Sequence, residues 1–182
     1  MERNENYKQI VELENKGEYL MAINQLYKEW EQNKADGKLT VRLAFECWYA
    51  LSESYRLNLS ESDCQKAKAI LIQVKDNVIE SGIKDAYVLS HMGYMITMFP
   101  DLFYEGDNDE QYEKHQLIGS KMLAEAVRIS PDDKIAELFM LGNNNKEKAY
   151  NKLKKQLRTQ IQQEYDGEDS FDEYFRDVLT QE

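Results

Sequence analysis

The chain is poor in the residues that break helices, cross-link chains or bind metals. Its 182 residues include two prolines, two cysteines, two histidines and eight glycines. Scarce Pro and Gly, beside abundant Leu, Glu, Lys, Gln and Ala, leave the backbone free to remain helical over long stretches. Cys47 and Cys64 each sit in an apolar helical pattern and form no C-x-x-C, and two cysteines in 182 residues make no disulfide framework; both read as small reduced core residues. No apolar run reaches the roughly 18 residues of a spanning helix, and the opening "MERNENYKQI" carries no apolar core of a signal peptide. A cytoplasmic protein outside the membrane is the expectation.

Positive charge is also in short supply. Lys and Arg number 23 against 34 Asp and Glu, a formal net charge of −11. Such a surplus of carboxylates repels phosphate backbones and argues against direct nucleic-acid binding, while it draws a basic protein inward. It also serves simply to keep a protein in solution.

Motifs of catalysis are missing as well. There is no phosphate-cradling glycine loop, no G-x-S-x-G elbow and no Cys–His nucleophile signature. His91 and His115 are 24 residues apart on different helical segments, too scattered for a zinc arrangement even with Asp109 and Glu113 nearby. "EGDNDEQYE" contains acids out of register with a calcium loop and reads as solvated connection. No enzyme activity, cofactor or metal is expected. A small metal-dependent hydrolase using either histidine is the reading from another class.

What is present is helical periodicity from end to end. Tyr7, Ile10, Val11 and Leu13 mark a first helix, stopped near Gly17; Tyr19, Ala22, Ile23, Leu26 and Trp30 mark a second. Ala44, Cys47, Trp48, Leu51 and Tyr55 follow on a third, and Ala67, Ile70, Leu71, Val74 and Val78 on a fourth. Ser60 with Asp63 has capping-box spacing ahead of the fourth helix, and Gly82 suits a left-handed terminator after it. A fifth helix runs from about Lys84 to Phe99, and a sixth from about Gln111 to Ser130. Ser130-Pro131 then reads as N-cap and first position of a seventh. Tyr150, Leu153, Leu157, Ile161 and Tyr165 share a face of an eighth, and Ser170 with Glu173 reads as the capping box of a last helix at "SFDEYFRDVL". The fold class is all-α, a single domain over 1–182 with about nine helices.

The helices fall into consecutive pairs at about 5–36, 39–82 and 85–131. Gly17, Tyr19, Ala22 and Leu26 in the first pair, and Trp48, Leu51, Ser52, Tyr55, Ala67, Leu71 and Val74 in the second, alternate large and small residues. The third offers Leu89, Met92, Gly93 and Ile96, then Gly119, Leu123, Ala126 and Pro131. This pattern resembles the tetratricopeptide (TPR) family, in which small residues let paired helices approach and large ones fill the groove. The spacing departs from it: Ala22, Ala67 and Gly119 are 45 and 52 residues apart, against about 34 in the family. Glu29 also replaces a usual small residue. The resemblance implies a TPR-like array of about three antiparallel helix pairs over 5–131, with capping helices and an acidic C-terminal segment over 132–182.

It implies function too. TPR proteins hold protein ligands along the first helices of each pair, which here gives Glu46, Tyr49, Glu53 and Arg56 from the third helix and Tyr87, Ser90 and Tyr94 from the fifth. The same tyrosines could instead be core. Lys146, Lys148, Lys152, Lys154, Lys155 and Arg158 crowd the eighth helix, and carboxylates from Glu164 to Asp177 dominate the tail. That separation suits pairing within the chain or an acidic surface for a basic partner. The expected function is a non-enzymatic protein-binding module, most concretely an immunity protein neutralising a basic toxin such as a nuclease. The alternative is a secretion or assembly chaperone holding a client segment in the groove.

Overall fold

The computed structural model describes residues 5–106 and 108–181; Met1–Asn4 of the opening segment, Asp107 of the acidic connection and Glu182 lie outside them. Among the described residues the protein is all-helical, with no strand. The helices are α1 (Glu5–Asn15), α2 (Tyr19–Gln32), α3 (Gly37–Ser52), α4 (Glu61–Glu80), α5 (Ala86–Met98), α6 (Asp109–Ile129), α7 (Lys134–Asn143), α8 (Glu147–Glu164) and α9 (Ser170–Thr180). A 3-10 turn at Pro100–Phe103 follows α5.

α2 buries Tyr19, Ala22, Ile23, Leu26 and Trp30, the stripe its periodicity predicts. α3 differs: every residue from Leu39 to Trp48 is buried, because it packs against α2, α4, α5 and α9. Each helix from α1 to α6 contacts its pairwise neighbour, α1 on α2, α3 on α4 and α5 on α6, and α7 packs on α8. α3 also meets α5, and α5 meets α7. One hydrophobic core runs through all nine helices, from Ile10 to Leu179.

Local chemistry sets the boundaries. Asp36 and Asp85 cap α3 and α5 through their side chains, Asp85 accepting from Tyr87 N at 2.8 Å. Ser60 caps α4 as its sequence implies, accepting from Asp63 N and donating to the Asp63 carboxylate at 2.7 Å. Gly17 and Gly82 take positive φ, +74° and +62°, and end α1 and α4 in the left-handed region.

Two expected caps move. Ser130 is the C-cap of α6, and α7 starts instead behind Asp133, whose carboxylate accepts from Ile135 N and Ala136 N at 3.0 Å each. Pro131 lies in the turn between them. A carboxylate that reaches two amides outcompetes the Ser-Pro pair two residues earlier. α9 likewise starts behind Asp169, which accepts from Asp172 N at 2.8 Å. The amide of Ser170 donates instead to Glu14 at 2.8 Å.

The small residues of the third pair do what their spacing suggests. A Cβ at Gly93 would stand 2.9 Å from Gly119 O, and one at Gly119 would stand 2.7 Å from Thr97 Cγ2. α5 and α6 therefore touch backbone to backbone. Gly119→Ala should lower unfolding free energy by about 1–3 kcal/mol through overpacking. Gly142→Ala, whose Cβ would meet only the Tyr150 ring at 3.4 Å, should change it little. Urea unfolding of the two variants measures the contrast.

Candidate functional site

α9 is amphipathic: Phe171, Phe175 and Leu179 are buried, and Glu173 and Asp177 face solvent. Its aromatic side lies on rings from three helices. Phe171 meets Phe45 of α3 edge-on at 5.0 Å and stacks on His91 of α5 at 5.6 Å. Phe175 sits 5.5 Å from Tyr94 and 5.6 Å from Phe139 of α7. Tyr174 packs edge-on against Trp48 at 5.3 Å, and its hydroxyl lies 2.9 Å from that of Tyr94. Such ring pairs each contribute about 0.5–1.5 kcal/mol beyond the area they bury. The face from which a ligand-holding groove was expected is therefore covered by the chain's own last helix.

The turn before α9 is fixed by charge. Arg42 of α3 is buried, ion-paired through Nη2 to Glu14 of α1 and 3.5 Å from Glu46 one helical turn on. Its Nη1 lies 3.9 Å from Asp169. Glu14 reaches across to the Ser170 amide, and Tyr7 hydrogen-bonds Asp169. One guanidinium thus ties α1 and α3 to the start of α9. Burial pushes the Glu46 carboxyl well above the usual carboxylate range, against the pull of Arg42. Among the described residues, Nε and Nη1 of Arg42 have no hydrogen-bond acceptor, nor do the Glu46 oxygens have a donor.

His91 belongs to the same interior. Its Nδ1 lies 2.8 Å from Tyr87 O, an acceptor, so Nδ1 carries the proton and Nε2 accepts from the Tyr165 hydroxyl at 3.0 Å. Burial pulls the ring's pKa down to about 4. His115 is buried elsewhere, against Tyr104 and 3.4 Å from the Lys75 ammonium. No group of three or more His, Cys, Asp or Glu among the described residues is disposed to hold a metal ion.

The seven residues expected to bind a partner divide between core and surface. Glu46 and Ser90 are buried, Glu46 beside Arg42 and Ser90 donating to Tyr87 O at 3.1 Å. Neither has surface to offer in this arrangement. Tyr94 is engaged by α9. Tyr49, Glu53 and Arg56 come together at a cleft of about 490 Å³ between α3 and α9. There Arg56 Nη2 donates to the Tyr49 hydroxyl at 2.6 Å and Nε to Glu53 at 2.7 Å. Glu168, Glu173 and Asp177 line the opposite wall. Tyr87 lines a second cleft, of about 330 Å³, with Tyr7, Lys38, Arg42, Asp169 and Asp172.

Arg42 and Asp169 are the residues the spacing argument misses. A signal for Arg42 exists, since "TVRLAFECW" carries one cation and, four residues on, one carboxylate in an otherwise apolar run. Asp169 has none, because nothing local says that a C-terminal turn will return to α3. Compared with known proteins, the chain matches no family model, no curated protein and no solved structure.

Two outcomes follow from this interior. Arg42→Met leaves Glu14, Glu46 and Asp169 without their cation and should cost about 3–5 kcal/mol in urea unfolding. His91 is neutral in the folded protein down to about pH 4 but protonates near 6.5 when unfolded. Acid therefore removes stability across that window, by up to about 3 kcal/mol. Measured side by side from pH 7 to 4, the wild type should lose that much relative to His91→Gln.

Proposed function

We propose that this chain is a non-enzymatic protein-binding module built as a TPR-like array, and that its partner is a basic protein. Its most concrete form is an immunity protein that neutralises a cationic toxin such as a nuclease, acting in the cytoplasm. The observation that carries this reading is the cleft between α3 and α9. Glu53, Glu168, Glu173 and Asp177 gather there around one arginine, Arg56, which is already held by Glu53 and Tyr49. On a chain of net charge −11, such a surface steers a cationic partner and discriminates against acidic ones. Half-buried tyrosines beside the carboxylates, Tyr49 and Tyr174, offer contact area at low entropic cost.

The pairwise packing of α1 on α2, α3 on α4 and α5 on α6, with α3 next to α5, supports the array. The covered aromatic face favours the immunity reading over the chaperone reading. A client segment lying along α3 and α5 would first have to displace Phe171, Tyr174 and Phe175. Among the described residues no helix is long and apolar enough to cross a membrane, so the reading needs no membrane partner.

Affinity capture with mass spectrometry names the partner, and stopped-flow association of the purified pair tests the electrostatics. The combined variant Glu53→Gln, Glu173→Gln, Asp177→Asn should slow association about tenfold at low salt, with the difference shrinking as salt rises. An unchanged rate, or binding indifferent to salt, defeats the electrostatic reading. If Tyr49→Ala with Tyr94→Ala weakens binding and the charge variant does not, the chaperone reading takes its place.

A further inference from the structure

α8 and α9 form a hairpin of opposite charge. Over 146–158 the chain carries Lys146, Lys148, Lys152, Lys154, Lys155 and Arg158 against one carboxylate, Glu147. Lys148, Lys152, Lys155 and Arg158 recur three and four residues apart, a spacing at which like charges weaken a helix. α8 packs on α7 and α9 and buries Leu157 and Ile161, which leaves the side carrying Lys148, Lys152 and Lys155 to solvent. α9 in turn presents Glu173 and Asp177, four residues apart, away from its buried Phe171, Phe175 and Leu179.

The two helices lie side by side, yet their charges do not meet. Lys148, Lys152, Lys155, Arg158, Glu173 and Asp177 are all exposed, and none forms a salt bridge among the described residues. Pairing within the chain therefore does not explain the separation of charge.

The register of the hairpin shows what can answer both faces at once. α8 and α9 run antiparallel: the Lys154 ammonium donates to Val178 O at 3.2 Å, and Tyr165 lies 6.0 Å from Phe171. With a rise of about 1.5 Å per residue on both helices, Lys155 is level with Asp177, and Arg158 is within one residue of the level of Glu173. A twofold axis parallel to the hairpin lays α8 of one copy over α9 of another at unchanged height. Lys155 then meets Asp177 of the second copy, Arg158 meets its Glu173, and both pairs are made twice. An axis across the hairpin would instead stack cations on cations.

We propose that α8 of one copy docks on α9 of a second, giving a twofold dimer held by Lys155–Asp177 and Arg158–Glu173 pairs. A net charge of −11 on each copy opposes the approach, but beyond about 8 Å that repulsion is screened at physiological salt, whereas the paired charges lie closer. The shared face is about as long as α9, 11 residues or roughly 16 Å, so the association is weak and reversible. The dimer goes beyond the protein-binding reading and stands without it. Glu173 and Asp177 also line the cleft assigned to a basic partner, which therefore competes with the second copy.

Sedimentation equilibrium at about 0.5 mM protein, neutral pH and physiological salt tests it, and wild type should contain both monomer and dimer. Lys155→Glu with Arg158→Glu, and separately Glu173→Lys with Asp177→Lys, should each lower the association constant about tenfold or more. An equimolar mixture of the two variants should recover it. The reversed α8 of one then faces the reversed α9 of the other, and their native helices pair as before. Lys28→Glu with Lys121→Glu, exposed positions on α2 and α6 and the same change of net charge as the α8 variant, should match wild type. Should a reversal not fold, Lys155→Gln with Arg158→Gln still has to weaken the dimer. A monomeric wild type, an unchanged constant in the reversals, a mixture no more associated than its components, or an equal loss in the control overturns the proposal. No basic protein enters the experiment, so its failure leaves the protein-binding reading standing.

Discussion

The arrangement of this protein turns on one buried guanidinium. Arg42 sits in the most enclosed helix, and Glu14 and Asp169 reach it from opposite ends of the chain. A charge in that position is tolerable only if carboxylates come to it, and a buried carboxylate only if a cation is there. The two requirements fix α1 and the turn before α9 to the same point of α3. From that turn α9 runs along the rings of α3, α5 and α7.

That placement bears on how the protein can meet another. The aromatic strip of Phe45, Trp48, His91, Tyr94 and Phe139 is the kind of surface on which a helix docks, and here the docked helix is α9. The clefts that remain open lie along the two edges of α9. On one edge lie Tyr49, Glu53 and Arg56, and on the other side of the α8–α9 turn lie Tyr87, Asp172 and Arg42. Both clefts are aromatic and carboxylate-rich. Each holds carboxylates close to low-dielectric ring surface.

Much of the helical framework was legible in the chain, because helix formation depends on neighbours three and four residues away. The stripe of α2, the Ser60 cap and the left-handed Gly17 and Gly82 are local features and lie where their spacing puts them. Gly93 and Gly119 were legible for a related reason: a glycine inside a helix has few uses beyond close approach, and each faces the other's backbone. The caps of α7 and α9 were misread where two local signals competed. Asp133 and Asp169 both stand near a serine with cap spacing, and the carboxylate prevails in each case.

The sequence by itself determined that this protein is all-helical and acidic, and which face of most of its helices turns inward. Those properties follow from composition and from a periodicity that every stretch carries within itself. The tertiary structure alone decided which of the partner-binding candidates keep any surface. Glu46 and Ser90 share their helices with Tyr49 and Tyr87, and no local pattern separates the buried from the exposed among them. Glu46 is enclosed where Glu14 and Asp169, from opposite ends of the chain, close on Arg42. A contact across that distance leaves no periodic trace, because its cause is the burial of Arg42 and the closing of a shared core.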